Sequence, residues 1–252
     1  MNLISVNIIT KNEEKNIEEC IKSIEWADEI IIVDAESTDN TQSIIKQHPE
    51  VKLFVNKWEG YTTQRNIALS HSTGDWILSI DADERATSQL HDEIITATKE
   101  NKFDGFRIPR KSFFLKKWIK HCGWYPGYQM RLFKKDKVSV AERLVHEGYE
   151  INGETGFLKN DILHFTVTSI SDYMERVNKY STLQALEKKD RRKVTFRDIY
   201  FRPVAAFFQH FFIKLGFLDG VHGLMVANFD MMTNLLTYMK IWEFQNKNKM
   251  PE

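Results

Sequence analysis

Cysteine is scarce in this chain: Cys20 and Cys122 are the two present in 252 residues. They can build no disulfide framework and show no metal-ligand spacing, so a reducing, intracellular compartment is expected. Net charge is missing too. The 35 bases are offset by 35 acids, whereas a dedicated nucleic-acid-binding domain is distinctly basic. No run of about 18 uncharged apolar residues supplies a spanning helix. The nearest approach, Val204 to Trp242, is interrupted by Gln209, His210, Lys214, Asp219 and Asp230. Residues Met1 to Thr10 lack a basic n-region and a small-residue cleavage site, and read as a strand rather than a signal peptide. Internal repeats and low-complexity tracts are also absent.

What is present fits a globular protein, with 42% hydrophobic and 28% charged residues. A chain of this length buries roughly 70–75% of its unfolded surface and needs no staples. Leu3 to Ile9 is short and β-branched, a buried strand. Ile17, Cys20, Ile21 and Ile24 then follow helical spacing, with Asn12 as the expected N-cap and Glu13 and Glu14 at the positive helix end. Ile30 to Asp34 is a second strand and Asp39 to Gln47 a second helix, with Asp39 and Gln42 at a variant of capping-box spacing. Val51 to Val55, Thr62 to His71 and Trp76 to Ile80 continue as strand, helix and strand. This alternation predicts βαβ units and a mostly parallel sheet, whose ligands bind beyond the carboxyl ends of the strands. Those ends deliver Thr10 to Glu13, Asp34 to Ser37 and Asp81 to Glu84.

Asp81-Ala82-Asp83 is the sharpest feature. Two carboxylates at a strand end can serve one diphosphate-bound cation, and Mg²⁺ or Mn²⁺ favours such oxygen ligands. The competing reading makes them caps for a helix beginning near Thr87. From Phe103 to Lys137 the chain turns aromatic and basic, with ten bases against one acid between residues 107 and 137. Aromatic faces stack on sugar rings and Arg and Lys bind phosphate, which suits an anionic, sugar-bearing ligand; a solvated charged loop is the alternative. Nucleic-acid binding would leave the acidic strand ends unexplained. Residues 172 to 192 look helical and end in a basic cluster, Lys188 to Lys193. The Phe-rich tail could lie in a membrane interface, pack on the preceding α/β domain or form a homodimer contact.

Ile8-Ile9-Thr10-Lys11-Asn12-Glu13-Glu14, Glu29 to Asp39 and Trp76 to Glu84 resemble the successive motifs of family 2 glycosyltransferases. The resemblance extends to the lipopolysaccharide core β-1,4-glucosyltransferase subgroup. It does so through Gln64-Arg65-Asn66, Ile108-Pro109-Arg110, Gly123-Trp124-Tyr125-Pro126, Arg131-Leu132-Phe133, Val145-His146-Glu147 and Gly216-Phe217-Leu218-Asp219-Gly220. It covers nearly the whole chain and departs at Ala35-Glu36, where the family usually carries a small polar residue and glycine.

The resemblance implies a GT-A nucleotide-sugar-binding fold, α/β with a mostly parallel central sheet. Residues 1–170 would form the catalytic domain (1–100 the nucleotide-sugar half, 101–170 the acceptor side) and 171–252 a helical extension. It places Thr10, Asn12, Glu13 and Asp34 at the nucleoside and Arg65 near the diphosphate or the Asp81 carboxylate. Asp81 would hold the ribose or sugar side, and Asp83 the divalent cation, Mg²⁺ or Mn²⁺. For inverting transfer a carboxylate must deprotonate the attacking hydroxyl: Glu147 first, then Glu142, then Asp161. His164 is the candidate further metal ligand, with His146 the alternative.

The expected enzyme is thus a cytoplasmic glycosyltransferase on the inner face of the inner membrane. It would move a hexose, glucose from UDP-glucose, to a heptose of the lipid-linked inner core. Two other classes remain. A sugar nucleotidyltransferase would need a Gly-rich loop after the first strand, where Thr10 to Glu14 has no glycine. A non-catalytic glycan-binding scaffold would have no use for intact Asp81, Asp83 and Glu147.

Overall fold

The computed structural model describes residues 2–141 and 148–246. They divide into two compact units, one of residues 2–111, 127–141 and 148–165, the other of 112–126 and 166–246.

The first unit opens with β1 (Ile4–Thr10), α1 (Ile17–Lys22), β2 (Glu29–Asp34), α2 (Thr41–Ile45), β3 (Val51–Val55), α3 (Tyr61–His71) and β4 (Trp76–Asp81). A short β5 (Glu84–Ala86) leads into α4 (Ser88–Glu100) and β6 (Gly105–Ile108). The chain leaves the unit within β7 (Arg110–Phe114), passes β8 (Lys117–Trp118) in the second unit, and returns as β9 (Gln129–Lys134). Then come β10 (Val138–Val140), β11 (Tyr149–Ile151), β12 (Thr155–Phe157) and β13 (Ile162–Val167), within which the chain leaves again.

Seven of these strands form one sheet in the order β12-β6-β9-β4-β1-β2-β3. The four strands from β4 to β3 are parallel, and β9 runs antiparallel between β4 and β6. Side chains alternate across the sheet. Val6, Ile8, Ile30, Ile32, Leu78 and Ile80 face α1 and α4, meeting Ile17, Cys20, Ile21, Leu90 and Ile94. Ile31 and Val33 face the other way, toward Ala68 of α3. Helices on both faces explain why β2 holds an unbroken apolar run, Ile30 to Val33, and why β1 and β4 are predominantly apolar, broken by the buried Ser5, Asn7 and Ser79. Both cysteines are free and buried.

The second unit is helical, built from α5 (Ile170–Lys188), α6 (Phe196–Phe208) and α7 (Gly220–Asn246). Its core gathers Phe114, Ile119, Cys122, Val177, Val226 and Phe229. Gly216 and Gly223 belong to the close approach that closes it. A Cβ on Gly223 would lie 1.9 Å from the Gly216 carbonyl oxygen, and one on Gly216 would lie 2.4 Å from Cys122 Sγ. The adjoining Asp219 carboxylate accepts the His121 N–H at 2.8 Å. The Gly216 to Gly220 motif, which forms a 3-10 turn, is therefore architectural.

Two expected caps are corrected. Asn12 does not cap α1: it sits at φ 56° with its side chain turned to the neighbouring loop, and the helix starts at Ile17 after Asn16. Asp39 does not form a capping box with Gln42. Its carboxylate accepts from Thr41, α2 spans only Thr41–Ile45, and Gln42 reaches back to Asp34. In both cases a side chain with helix-capping chemistry is spent on tying two strand-end loops together.

Candidate active site

The register sets the site. Thr10 pairs with Asp34, and Ile9 pairs with Asp81, so the carboxyl ends of β1, β2 and β4 lie side by side. This is where the order of strands reverses direction, the topological switch point of an open α/β sheet.

The loops leaving β1 and β2 are laced together. The Asn12 N–H donates to Ser37 Oγ at 2.8 Å, and the Thr38 N–H donates to Asn12 Oδ1 at 2.8 Å. The Glu13 N–H donates to Thr41 Oγ1 at 2.8 Å. Asp34 is fully buried beneath them, with Oδ1 accepting from the Ser37 N–H (2.8 Å) and Gln42 Nε2 (2.6 Å). It shapes the turn from below. Glu36 adopts φ 54°, the left-handed conformation glycine would take at no cost. The departure from the family pattern at Ala35-Glu36 thus leaves the turn intact and introduces backbone strain. Thr10 Oγ1 is buried with no hydrogen-bond partner among the described residues.

The turn after β4 is organised by an arginine the sequence reading gave no role. Arg131, from β9, donates through Nη2 to Asp81 Oδ2 at 2.5 Å and to Glu84 Oε1 at 2.7 Å. Its side chain is 6% exposed and that of Glu84 is wholly buried, while Asp81 keeps 35% of its side-chain surface open. The Asp81 N–H donates to Glu84 Oε2 at 2.9 Å, and Arg110 Nη1 stands 3.6 Å from Glu84 Oε1. Burial would raise the Asp81 carboxyl, but Arg131, with Arg65 and Arg110 behind it, holds it well below the usual carboxylate range. Burial pushes Glu84 up despite Arg131. The competing reading of the acids as helix caps fails, because Thr87 caps α4 by accepting from the Leu90 N–H.

Asp83 and His164 meet. β13 pairs antiparallel with β5, placing His164 opposite Glu84, and His164 Nε2 lies 3.3 Å from Asp83 Oδ2. Two ligand atoms on adjacent octahedral positions of one Mg²⁺ or Mn²⁺ are separated by about 3 Å. A carboxylate oxygen and an imidazole nitrogen at this spacing fit such an ion, whose remaining positions diphosphate oxygens and water would fill. Among the described residues, the one group of three or more candidate ligands is elsewhere, Glu25, His48 and Glu50.

Arg65 projects from α3 across the ring of Tyr149, 5.2 Å from its centroid, and Tyr149 is fixed by a 2.8 Å hydrogen bond between its hydroxyl and Ser79 Oγ. Arg65 Nη1 is buried without a hydrogen-bond partner among the described residues. Asp161 lies at the other end of the β5–β13 ladder, where its carbonyl accepts from Thr87 Oγ1. Glu142, His146 and Glu147 lie outside the described residues. Sequence reasoning missed Arg131, Arg110, Glu84 and Tyr149 as site residues. A base at an inward position of the apolar strand Met130 to Phe133 was the available signal, since a buried guanidinium requires a carboxylate partner.

Comparison with known proteins decides the family. The Glycosyl transferase family 2 model matches residues 5–146. The chain belongs to that family. An uncharacterized glycosyltransferase of Rickettsia felis is 31% identical, across 99% of this chain and 93% of its own. The lipopolysaccharide core biosynthesis glycosyltransferase LpsC of Rhizobium meliloti is 28% identical, across 95% of this chain and 92% of its own. Among solved structures, the mannosyltransferase PcManGT of Pyrobaculum calidifontis, in complex with GDP-Man and Mn²⁺, superposes with a TM-score of 0.55 at 14% identity. That match covers 99% of this chain and 88% of the other. S. aureus TarS 1-349 with UDP-GlcNAc gives a TM-score of 0.51 at 15% identity, covering 98% and 92%. The fold is the GT-A fold, and this family 2 glycosyltransferase carries its acidic turn at the end of β4.

Proposed function

We propose that this glycosyltransferase transfers a hexose, glucose from UDP-glucose, with inversion onto a heptose of the lipopolysaccharide inner core. The observation carrying the site assignment is the meeting of Asp83 and His164 beside an Asp81 carboxylate held ionised by Arg131. The full-length relationship to LpsC supports the acceptor class, and the nucleotide sugars bound by the structural relatives support the donor class.

In this reading the laced loops carrying Thr10, Asn12 and Glu13 receive the nucleoside, with Asp34 setting their shape. Asp83 and His164 hold a divalent cation, which would neutralise the departing diphosphate. Asp81 faces the ribose or sugar, fixed in orientation by Arg131. Arg65, stiffened against Tyr149, offers its unsatisfied N–H to a diphosphate oxygen, a charge-assisted bond that strengthens as negative charge gathers on the leaving group. Glu147 takes the proton of the attacking hydroxyl, which acidifies as its bond to the anomeric carbon forms. The enzyme works on a lipid-linked acceptor, on the cytoplasmic face of the inner membrane.

The test offers a panel of UDP-sugars with Mn²⁺ and heptose-terminated core acceptors, and follows UDP release and product mass. UDP-glucose with a heptose acceptor should give the product, and Asp83→Ala should abolish it. Glu147→Gln should bind donor without transferring. Normal turnover by Asp83→Ala would remove the metal assignment. Full turnover by Glu147→Gln with loss in Glu142→Gln would move the base.

A further inference from the structure

The second unit carries an apolar face far larger than its own core requires. Along α6 and the turn that follows it, Phe196 and Ile213 are 76% and 77% exposed, and Phe201, Phe208, Phe212 and Leu218 are about half exposed. Helical spacing collects positions 201, 204 and 208 on one side of α6, with Arg197 at the N-terminal end of that side and the buried Pro203 turned away from it. The rings pack on each other instead of into a core. Phe208 stacks on Phe212 at 5.4 Å, and Phe207 on Phe211 at 5.4 Å. Soluble monomers seldom expose contiguous apolar patches beyond a few hundred Å².

The face has a cationic rim. Between residues 188 and 218 the sequence holds eight bases and two acids. One of those acids, Asp198, is already consumed. Arg192 and Arg202 pair with it, and it completes a capping box with Thr195 that fixes the start of α6. Lys193 and Arg197 are exposed and make no ion pair among the described residues. Aromatic side chains on one helical face with Lys and Arg at its margin are the composition of a helix lying in a membrane interface. No single helix among the described residues is long and apolar enough to cross a membrane. Phe196–Ile213 and Gly216–Asn246 reach that length and composition only together, bent by 69°. A second copy is the poorer occupant, because a two-fold contact through this face would set basic rim against basic rim.

We propose that α6 and the turn after it dock this chain on an anionic lipid bilayer. The phenylalanine rings enter the boundary between headgroups and acyl chains, and Lys193 and Arg197 lie on headgroup phosphates. The inference rests on the reading above, whose lipid-linked acceptor sits in such a surface, and adds the element and lipid chemistry that reach it.

The experiment sediments the full chain with phosphatidylcholine vesicles, with and without phosphatidylglycerol, at low and high salt, in the absence of donor and acceptor. The chain should bind the anionic vesicles and release them as salt rises. Phe208→Asp with Phe212→Asp should lower partitioning at least about 100-fold, on the order of tenfold per ring withdrawn. Lys193→Gln with Arg197→Gln should lower it about 30-fold on anionic vesicles and leave neutral ones unchanged. All four residues are exposed, so an unaltered melting temperature is expected in both variants. No binding to either vesicle at low salt would overturn the proposal, as would variants that bind as the parent does. A solution dimer dissociated by the two Asp substitutions would instead assign the face to a second copy. Loss of transfer with intact vesicle binding would refute the enzymatic reading alone. Transfer to a detergent-dispersed acceptor without vesicle binding would refute docking alone.

Discussion

Replacing Arg131 by methionine tests the electrostatic centre of the site. Its guanidinium, 6% exposed, bonds Asp81 at 2.5 Å and Glu84 at 2.7 Å. Methionine keeps much of the volume but leaves two carboxylates facing each other, one wholly buried. Breaking a buried pair from one side costs about 3–5 kcal/mol, a large share of the roughly 5–15 kcal/mol that holds a domain folded. Glu84 should respond by holding its proton. Burial already sets its folded pKa above the ordinary 4.5, and losing Arg131 raises it further. A folded state that binds more protons than the unfolded one loses stability as pH rises. The deficit of the variant should therefore be smallest near pH 4.5 and widen toward neutrality.

Adding Glu84→Gln should recover part of the loss at neutral pH, because the uncompensated charge is then gone. Urea unfolding of parent, single and double variants, followed by tryptophan fluorescence to which the buried Trp76 of β4 contributes, measures each. The reasoning fails if Arg131→Met costs under about 1 kcal/mol, the range of a surface pair. It fails equally if the double variant is no more stable than the single one.

Four other outcomes follow from the structure. His164→Ala should weaken Mn²⁺ binding in the presence of UDP at least about tenfold by calorimetry; unchanged affinity would take His164 off the metal. Glu36→Gly should stabilise the chain by about 1 kcal/mol in urea unfolding, by removing a left-handed non-glycine residue, and no gain would mean the turn carries no strain. Burial would raise Glu29, yet the Lys52 ammonium and the Ser5 and Thr73 donors hold it down to about 2. Glu29→Gln should then cost about 3 kcal/mol near neutrality, with the penalty shrinking as pH falls from 4.5 toward 2, where the parent loses the same stabilisation; a penalty independent of pH would contradict this. Gly216→Ala should destabilise the helical unit by about 1–3 kcal/mol in thermal unfolding, since its Cβ meets Cys122 Sγ at 2.4 Å, and a neutral result would show that the turn yields.

The sheet was legible because both of its faces are covered. That makes β2 an unbroken apolar run and β1 and β4 predominantly apolar, and β3 spans Val51–Val55 as expected. The strand-end acids were legible for the same reason, since polar residues directly after such runs mark the edge of the sheet. The caps at Asn12 and Asp39 were misread because a capping side chain and a loop-lacing side chain have identical chemistry. What separates them is whether the nearest free N–H belongs to the same helix or to the next loop, and that depends on the β1–β2 register. Arg131 was hidden by distance along the chain: its partners Asp81 and Glu84 lie 50 and 47 residues away. Only the antiparallel insertion of β9 beside β4 brings them together.

Charge composition was the least readable signal, and the structure explains why. The acid-rich first 50 residues spend Asp34 and Asp39 on turns, and Glu29 on Lys52, Ser5 and Thr73. The base-rich stretch from 107 to 137 is divided between the two units. Within it Lys117 is tied to the Asp219 carbonyl, Lys134 to Asp104, Lys135 to the Ser72 carbonyl, and Arg131 to Asp81 and Glu84. A charge engaged by its own fold has little left to offer a ligand, so neither the neutral total nor its polarisation along the chain identifies what binds. The informative groups keep an open donor or acceptor after the fold has taken its share. In the first unit these include the exposed third of Asp81 and the unsatisfied N–H of Arg65. Both stand around the turn that presents Asp83 to His164, and in the function proposed above it is these open groups, and not the net charge of any segment, that would receive the donor's diphosphate.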